Sequence, residues 1–200
     1  MTEKIKKLIL KNSLKNVVFD GWTDEMFEIA VEESNINYLE AKKIFPRKAI
    51  DVAIYFHSED DIKLNCISED EFSNLKVRTK IIELIFKRIM IANQNKEAVK
   101  RSLALFSLPF FVIDSKKMIY NTSNTIWNIV EDSNKSFSYY SKRISLMYIY
   151  STSLLYWISD ETKDCEDTYS FIERSIEKFL KLEEFKRNFS SYTKFDNFKT

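Results

Sequence analysis

Glycine and proline are scarce in this chain of 200 residues, which contains one glycine and two prolines. A β-sheet needs many turns, and the tight turns of antiparallel sheets depend on glycine and asparagine. The scarcity therefore favours an all-α fold with short polar connections. A phosphate-binding loop needs several glycines, so that class of nucleotide site is excluded.

Histidine and cysteine are also scarce, and both matter for catalysis and metal binding. The chain has one histidine, His57, and two cysteines, Cys66 and Cys165. The cysteines form no C-x-x-C pair, which indicates reduced thiols. A ferritin-like di-iron site needs a Glu-x-x-His on each of two helices, but Ile54 stands three residues before His57. We predict no catalytic residue, no metal site and no cofactor, and interpret His57 as a structural or surface histidine.

A strong net charge is absent, since 30% of the residues are charged but the formal net charge is +1. This balance gives no bulk attraction to nucleic acid or to an anionic membrane. The acidic pairs Asp60–Asp61 and Glu183–Glu184 are interpreted as solvated charges. The apolar patch Leu8–Leu10 is too short for a secretory signal. The wealth of lysine, isoleucine and asparagine is typical of an AT-rich bacterium, so we expect a bacterial cytoplasmic protein.

One long hydrophobic run is present, with no charge between Arg143 and Asp160. A helix needs about 20 apolar residues to cross a bilayer. This run is shorter, and serine and threonine interrupt it at residues 151–153. A helix that is apolar on every side and cannot span a membrane is buried on all sides or lines an apolar space.

Helix signals divide the N-terminal part of the chain. Helical spacing predicts a first helix over Glu3–Phe19, closed by Gly21 as its C-terminal cap. Thr23 then caps a second helix over Asp24–Glu33. Further helices are predicted at about Ile36–Ile44, from Ile50 to His57, and at about Phe72–Gln94, Lys96–Leu105, Ser115–Val130, Ser138–Ile158 and Glu166–Leu182. An acidic connection, Glu59–Asp70, precedes the fifth helix.

The helix order predicts three parts. Residues 1–58 follow a helix-turn-helix plan, because a short helix and a longer one come after a sharp turn. Residues 59–185 form a second helical part, and residues 186–200 form a basic aromatic tail.

Three motifs are distinctive: FDGWTDEM at residues 19–26, YYSKR at 139–143 and EDTY at 166–169. They resemble those of one family, the Coq-nine accessory proteins of ubiquinone biosynthesis. The resemblance covers about Leu14–Phe185 and implies a TetR-like fold, lipid binding and assistance to a di-iron hydroxylase. The family usually has glycine at the position of Lys48.

The resemblance implies a non-catalytic accessory protein that presents a polyprenylated quinone precursor to the hydroxylase. Its ligand would be an isoprenoid lipid or quinone, and its location the periphery of the inner membrane. Two alternatives stay open: a ligand-responsive TetR-type DNA-binding regulator, and a structural dimer with a filled core. Glu32, Glu33 and Glu40, around the presumed recognition helix, repel phosphates and disfavour nucleic acid.

Apolar side chains on the fifth to ninth helices exceed what one buried face per helix requires. We therefore predict a closed apolar cavity or tunnel among these helices. Its predicted lipid-binding walls are Phe106, Phe110, Met118, Ile126, Trp127, Met147, Leu154 and Trp157.

Three surfaces are also predicted. Aromatic residues and arginine are enriched at binding hot spots, and the resemblance places the hydroxylase-binding patch at Asp132, Tyr139, Tyr140, Lys142 and Arg143. TetR-type proteins pair their final helices, which predicts a homodimer through Thr168, Ile172, Ile176 and Phe179. The tail combines lysine with aromatic residues, as interfacial membrane anchors do, and its anchoring residues are predicted to be Phe189, Tyr192, Phe195 and Phe198.

Overall fold

The computed structural model describes residues 2–67, 72, 75–130 and 137–196, with side chains for all of these except 137–141 and 182–196. No strand occurs in these ranges, so the all-α prediction is confirmed for them. The α-helices are α1 (Thr2–Asp20), α2 (Asp24–Glu33), α3 (Tyr38–Ile44), α4 (Ala49–Asn65), α5 (Val77–Asn93), α6 (Lys96–Phe106), α7 (Val112–Ile129), α8 (Phe137–Ile158) and α9 (Glu166–Asp196). Short 3-10 helices cover Pro109–Phe111 and Lys163–Cys165.

The turn between α1 and α2 is built as the sequence predicts. Gly21 has a φ of 70°, and its amide donates to the Val17 carbonyl at 2.9 Å. Glycine adopts this left-handed conformation without the steric cost that a Cβ would bring. The Thr23 hydroxyl accepts a hydrogen bond from the Met26 amide at 3.2 Å, which caps the first turn of α2.

The helix-turn-helix follows, and its second helix begins two residues later than predicted. The Asn37 side chain accepts a hydrogen bond from the Leu39 amide at 2.9 Å. This cap sets the start of α3 at Tyr38, because the capping residue itself has an extended backbone.

The predicted connection Glu59–Asp70 is wrong over its first seven residues, because α4 runs on to Asn65. Val52, Phe56, Asp60 and Leu64 are all buried and recur every four residues. The inward face of α4 therefore continues past residue 58, the predicted boundary between the first two parts, and this boundary lies inside a helix.

Two other helix limits differ from those predicted. The fifth helix begins at Val77 rather than near Phe72. The last helix does not end near Leu182, since the backbone of α9 is helical to Asp196. The first part of the predicted tail is thus a continuation of α9.

The N-terminal region, residues 2–58, has a densely packed aromatic core. Phe27 meets Phe45 edge to face, with ring centroids 6.4 Å apart. Trp22 lies 5.8 Å from Phe56, and its indole N–H donates to the Ala98 carbonyl at 3.0 Å. This last contact ties the start of α2 to α6.

The apolar helix α8 packs between α7 and α9 and also contacts α5. Trp157 and Leu154 are buried, but Ile144, Tyr148 and Leu155 are 63%, 71% and 61% exposed. Of the two alternatives for α8, burial on all sides is excluded, because one stripe faces outward. Among the described residues, no helix combines the length and hydrophobicity that crossing a membrane demands.

The connection from α8 to α9 is organised by one carboxylate. Asp160 accepts hydrogen bonds from the amides of Thr162 and Thr168, each at 2.8 Å, and from both threonine hydroxyls. Burial opposes ionisation, but these hydrogen bonds lower the pKa of Asp160 to about 2. The motif EDTY thus contributes Thr168 to a helix cap.

Candidate ligand-binding site

A cavity of about 330 Å³ lies among α5, α7, α8 and α9. Its volume is within the range of about 300–1,000 Å³ that is usual for small-molecule pockets. Most of its lining is apolar, and its charged residues are Arg78 and Lys142. The lining residues of this main cavity are Val77, Arg78, Ile81, Trp127, Lys142, Ser145, Leu146, Ile149, Ile176, Phe179 and Leu180.

The wall formed by α7 and α8 is held in place by Trp127. Its indole N–H donates to the Lys142 carbonyl at 3.2 Å, and the Lys142 ammonium lies 5.4 Å from the centre of its ring. Ile149 and Ile176 are buried on the facing helices. Val77, Arg78 and Leu180 are exposed, so they mark the mouth of the main cavity. The main cavity is therefore open to solvent at this mouth, which excludes the closed form of the predicted cavity or tunnel.

A second space, the side groove, has a volume of about 370 Å³ and lies between α8 and α9. Ile149 and Phe179 line both the main cavity and the side groove. Nearby, Tyr156 stacks on Phe171 with ring centroids 4.5 Å apart. The contact between α8 and α9 is therefore thin at Ile149 and Phe179, which separate the main cavity from the side groove.

The centre of the C-terminal region, residues 59–181, contains a buried charge cluster of Asp60, Asp61 and Arg88. The Arg88 Nε donates to Asp61 at 2.7 Å, and its Nη1 lies 3.5 Å from an Asp60 oxygen. The Thr122 hydroxyl lies 2.9 and 3.0 Å from the two Asp61 oxygens. Asp60 and Arg88 are each 1% exposed. Interpreting Asp60–Asp61 as solvated charges is therefore wrong.

His57 lies next to this cluster and is half-buried. Burial, reinforced by the Arg88 charge, lowers the pKa of His57 to about 3, so the imidazole is neutral at physiological pH. Its Nε2 is 2.8 Å from the Ser102 oxygen, and the Ser102 hydroxyl donates its one proton to the Val99 carbonyl at 2.7 Å. The Ser102 hydroxyl is therefore engaged by the Val99 carbonyl, and the direction of its hydrogen bond with His57 follows the imidazole tautomer.

Burial also shifts the other groups around the cluster. It raises the pKa of Tyr150 to about 12. It raises the pKa of Asp61 despite the opposing effects of Arg88 and Thr122. A cavity of about 40 Å³ adjoins these residues and is too small for a lipid. Its lining residues are His57, Leu103, Phe106, Ser115, Met118, Ile119, Thr122, Tyr150 and Leu154.

The eight predicted wall residues do not surround one space. Trp127 lines the main cavity, whereas Phe106, Met118 and Leu154 line the small one. Ile126 and Trp157 are fully buried and Met147 is half-buried. Phe110 is 90% exposed, so its assignment to a cavity wall is wrong. The 3-10 helix after Pro109 turns Phe111 inward instead, where it meets Phe106 with ring centroids 6.2 Å apart.

The predicted partner patch is divided in the same way. Arg143 is 0% exposed and donates to Asn124 at 2.8 Å and to Asn128 at 3.3 Å. Its assignment to a partner-facing surface is therefore wrong, because it joins α8 to α7. Lys142 is half-buried at the main cavity. Asp132 lies outside the described residues, and so do the side chains of Tyr139 and Tyr140.

The predicted dimer face on α9 is also turned inward. Thr168, Ile172 and Ile176 are buried within the chain, and Phe179 lines the main cavity. These residues are therefore not available for an isologous contact. The side chains of Phe189, Tyr192 and Phe195 are not described, and Phe198 lies outside the described residues.

Sequence reasoning missed most of the main cavity and the whole charge cluster. Ile81, Leu146, Ile149 and Ile176 look like ordinary core residues, and no sequence signal separates them from a filled core. The charge cluster had a signal, because Asp60 continues the inward spacing of α4. Among the described residues, no group of three histidine, cysteine or acidic side chains could hold a metal ion.

Residues 112–183 match the family model described as COQ9. This stretch contains α7, α8 and all the described side chains of α9. It therefore covers three of the four helices around the main cavity.

Curated proteins are similar over most of the chain. The chain is 25% identical over 192 residues to the probable ubiquinone biosynthesis protein coq9, mitochondrial, of Dictyostelium discoideum, covering 92% of this chain and 62% of that protein. For the corresponding Schizosaccharomyces pombe protein the identity is 24%, covering 86% and 68%. For the Homo sapiens protein it is 21%, covering 90% and 59%. The chain thus spans 59–68% of the length of these relatives.

A solved structure supports the fold. The crystal structure of the TetR transcriptional regulator from Nitrosomonas europaea ATCC 19718 matches with a TM-score of 0.65 and 14% identity, covering 86% of this chain and 95% of that one. At this identity the likeness shows the fold alone, which confirms the TetR-like all-α prediction. The family and curated matches confirm that the chain resembles the COQ9 family, as its FDGWTDEM, YYSKR and EDTY motifs indicated.

Proposed function

We propose that this chain is a non-catalytic, lipid-binding accessory protein of ubiquinone biosynthesis. The observation that supports this most directly is the main cavity, which is apolar, about 330 Å³ in volume, and formed largely by the stretch that matches COQ9. The ligand we propose is an isoprenoid lipid or a polyprenylated quinone precursor.

The chemistry of the main cavity suits an amphipathic ligand. Each methylene that moves from water into an apolar site gains about 0.8 kcal/mol. Ile81, Leu146 and Ile149 offer such a site to part of an isoprenoid chain. Arg78 and Lys142 place positive charge on the lining, where the polar end of the ligand would lie.

The polar interior supports a binding role rather than catalysis. His57 is the one histidine of the chain, and the hydroxyl of its partner Ser102 donates to the Val99 carbonyl. The charge cluster is engaged in ion pairs between α4 and α5 and lies outside the main cavity. Neither arrangement brings a nucleophile and a base to a ligand.

Mass spectrometry of organic extracts from the purified protein tests the proposal. We expect an isoprenoid lipid in stoichiometric amount. Ser145→Phe fills the main cavity and should remove this lipid, whereas Thr152→Phe fills the side groove and should leave it bound. Circular dichroism checks that both variants fold. Extracts without lipid from the wild-type protein, or equal lipid in both variants, would contradict the proposed site.

We propose that the partner is a di-iron quinone hydroxylase. With Arg143 buried, the patch rests on Asp132, Tyr139 and Tyr140. Tyr140→Ala should weaken hydroxylase binding in a pull-down, while Phe19→Ala, at the exposed end of α1, should not. Equal binding by both variants would mean that the hydroxylase does not bind at this patch.

We also propose a homodimer, now through the exposed stripe of α8. Ile144, Tyr148 and Leu155 are exposed at spacings of four and seven residues, so they share one face of the helix. A second copy can cover this face isologously. Ile144→Glu with Leu155→Glu should convert a dimer to a monomer in light scattering, and a wild-type monomer at tens of micromolar would contradict the dimer.

The proposed location is the periphery of the bacterial inner membrane, with the end of α9 as an anchor. The helical backbone to Asp196 supports this, because an interfacial anchor is an amphipathic helix. Deletion from Phe189 onward should reduce binding to anionic vesicles. Unchanged binding after the deletion would exclude the tail as an anchor.

A TetR-type regulator is the second candidate, supported by the structural likeness to a TetR regulator and by exposed Lys42 and Lys43 on α3. Selection of DNA sequences by the purified protein distinguishes the two functions. Recovery of a defined operator, released by a lipid ligand, would favour the regulator.

A further inference from the structure

The junction between α6 and α7 projects apolar side chains into solvent. Phe110 and Ile113 are 90% and 81% exposed, more than any other large hydrophobic residue with a described side chain. Leu108 and Val112 in the same six-residue stretch are also exposed. We call residues 108–113 the apolar tip. No function considered above uses it.

The apolar tip is held in its exposed position by local contacts. The Phe111 amide donates to the Leu108 carbonyl at 3.0 Å, which forms the 3-10 turn after Pro109. Phe111 packs inward on Phe106, so Phe110, its neighbour, is directed outward. The exposure is therefore a property of a fixed turn.

Two lysines accompany the apolar tip. Lys116 and Lys117 are exposed and follow Ile113 by three and four residues, so all three side chains share one face of α7. The acidic residue of this stretch, Asp114, forms a bidentate ion pair with Arg47, with N···O distances of 2.9 and 3.1 Å. Arg47 also pairs with Asp51 at 2.9 Å. The net charge of this group is +1, summed over Lys116, Lys117, Asp114, Arg47 and Asp51.

From this juxtaposition we infer that the apolar tip is a docking surface for an anionic lipid bilayer, in which Phe110 and Ile113 enter the interface while Lys116 and Lys117 contact the headgroups. Apolar residues beside lysines are the composition of interfacial membrane contacts. A protein partner is disfavoured, because a standard interface buries about 800 Å² per partner and a single short turn offers much less. The inference is independent of the ligand proposed for the main cavity.

Vesicle sedimentation of the full chain provides the first test. The probes are vesicles of phosphatidylcholine alone and of phosphatidylcholine with an equal part of phosphatidylglycerol. Phe110→Ser with Ile113→Ser should weaken binding to the anionic vesicles at least tenfold. Phe19→Ser is the matched control, since Phe19 is 79% exposed at the end of α1, and it should bind as the wild type does.

The lysines give a separate signal. Each lysine near an anionic surface contributes a factor of about five to binding. Lys116→Gln with Lys117→Gln should therefore weaken binding at low salt and match the wild type at high salt, where screening removes the effect. Equal binding of the wild type to neutral and anionic vesicles would overturn the electrostatic part of the inference.

A fluorescent reporter locates the contact directly. The natural tryptophans Trp22, Trp127 and Trp157 are all buried. Phe110→Trp should shift its emission to the blue and be quenched by brominated lipids in anionic vesicles, while Phe19→Trp should not respond. Equal quenching of both variants, or of neither, would overturn the inference.

Two further outcomes would also overturn it. Binding that survives Phe110→Ser with Ile113→Ser but disappears on deletion from Phe189 onward would assign the membrane contact to the tail alone. Self-association of the wild type that this double substitution abolishes would make the apolar tip a contact between copies. Lipid extraction reports on the main cavity in the same variants, so failure of the proposed function is distinguished from failure of this inference.

Discussion

The N-terminal and C-terminal regions solve the same packing problem in different ways. Residues 2–58 are filled by apolar and aromatic side chains such as Phe27 and Phe56, and their unusual features lie in the backbone, at Gly21 and Lys48. The C-terminal region holds the cavities described above and the ion pairs of Arg88. The C-terminal region thus leaves space inside and fixes its helices with directional contacts, whereas the N-terminal region fills its interior.

The largest effect is expected from a substitution that breaks the ion pairs of Arg88 in the C-terminal region. Arg88→Met leaves Asp61 buried without its cation and Asp60 paired with Lys63 alone, which costs about 3–5 kcal/mol of unfolding free energy. Arg47→Met is the matched control, because Arg47 also pairs with two carboxylates but is half exposed. Exposed pairs contribute about 0–1 kcal/mol. Urea denaturation measures both, and equal losses would erase the distinction between the two regions.

The next effect concerns the pH dependence of stability. The pKa of His57 is about 3 in the folded chain and about 6.5 when unfolded, so the unfolded state takes up a proton first as the pH falls. Stability is fully present above pH 6.5 and declines below it by at most about 1.4 kcal/mol per pH unit. Denaturation curves between pH 7 and pH 5 should show this decline.

The variant His57→Gln should remove this part of the decline while the carboxylates still titrate at lower pH. Because the chain has one histidine, the difference between the two curves isolates this group. Parallel curves would mean that the imidazole is protonated in the folded state and that the interior is less apolar than its burial indicates.

A smaller effect is expected from the backbone of the N-terminal region. Gly21→Ala puts a Cβ on a residue with a φ of 70°, and the nearest atom to that Cβ, the Arg101 Nη1, is 4.0 Å away. There is space for the methyl group, so the cost is conformational strain of about 1 kcal/mol. Thermal denaturation should show a modest fall in Tm, and a loss as large as that of Arg88→Met would indicate a packing role.

The smallest effect should have the opposite sign. Lys48 has a φ of 50° and a ψ of −121°, a conformation that favours glycine, the residue that the resembling family usually has there. Lys48→Gly relieves strain of about 1 kcal/mol or more. It also removes exposed ion pairs to Asp24 and Glu28, at 3.0 and 3.3 Å, which are worth little. Lys48→Ala keeps the strain and loses the pairs, so it should be the less stable variant.

The sequence predicted the fold better than the site, for physical reasons. Helices α1 and α2 could be delimited because Gly21 and Thr23 impose local conformations that do not depend on the rest of the chain. The end of α4 was missed because Asp60 and Asp61 resemble solvent-exposed carboxylates unless Arg88, a partner on another helix, is known.

The main cavity is a property of the distances between helices, which no residue type reports. Leu146 and Ile149 would be apolar in a filled core as well. Residue type also misled the predictions for Phe110 and Arg143. Hydrophobicity suggested that Phe110 is buried, and charge suggested that Arg143 is exposed. Phe110 is exposed because a fixed turn directs it outward, and Arg143 is buried because two asparagines accept its hydrogen bonds.

Helix α4 has a consequence for how the chain folds. Its first turns bury Val52 and Phe56 against the N-terminal region, and its last turns supply Asp60 and Asp61 to Arg88. Neither region can complete its interior without this one helix. The two regions should therefore unfold in a single cooperative transition, and a cut at residue 58 would yield two fragments that do not fold alone. Native-state hydrogen exchange should show the amides of α4 among the last to open.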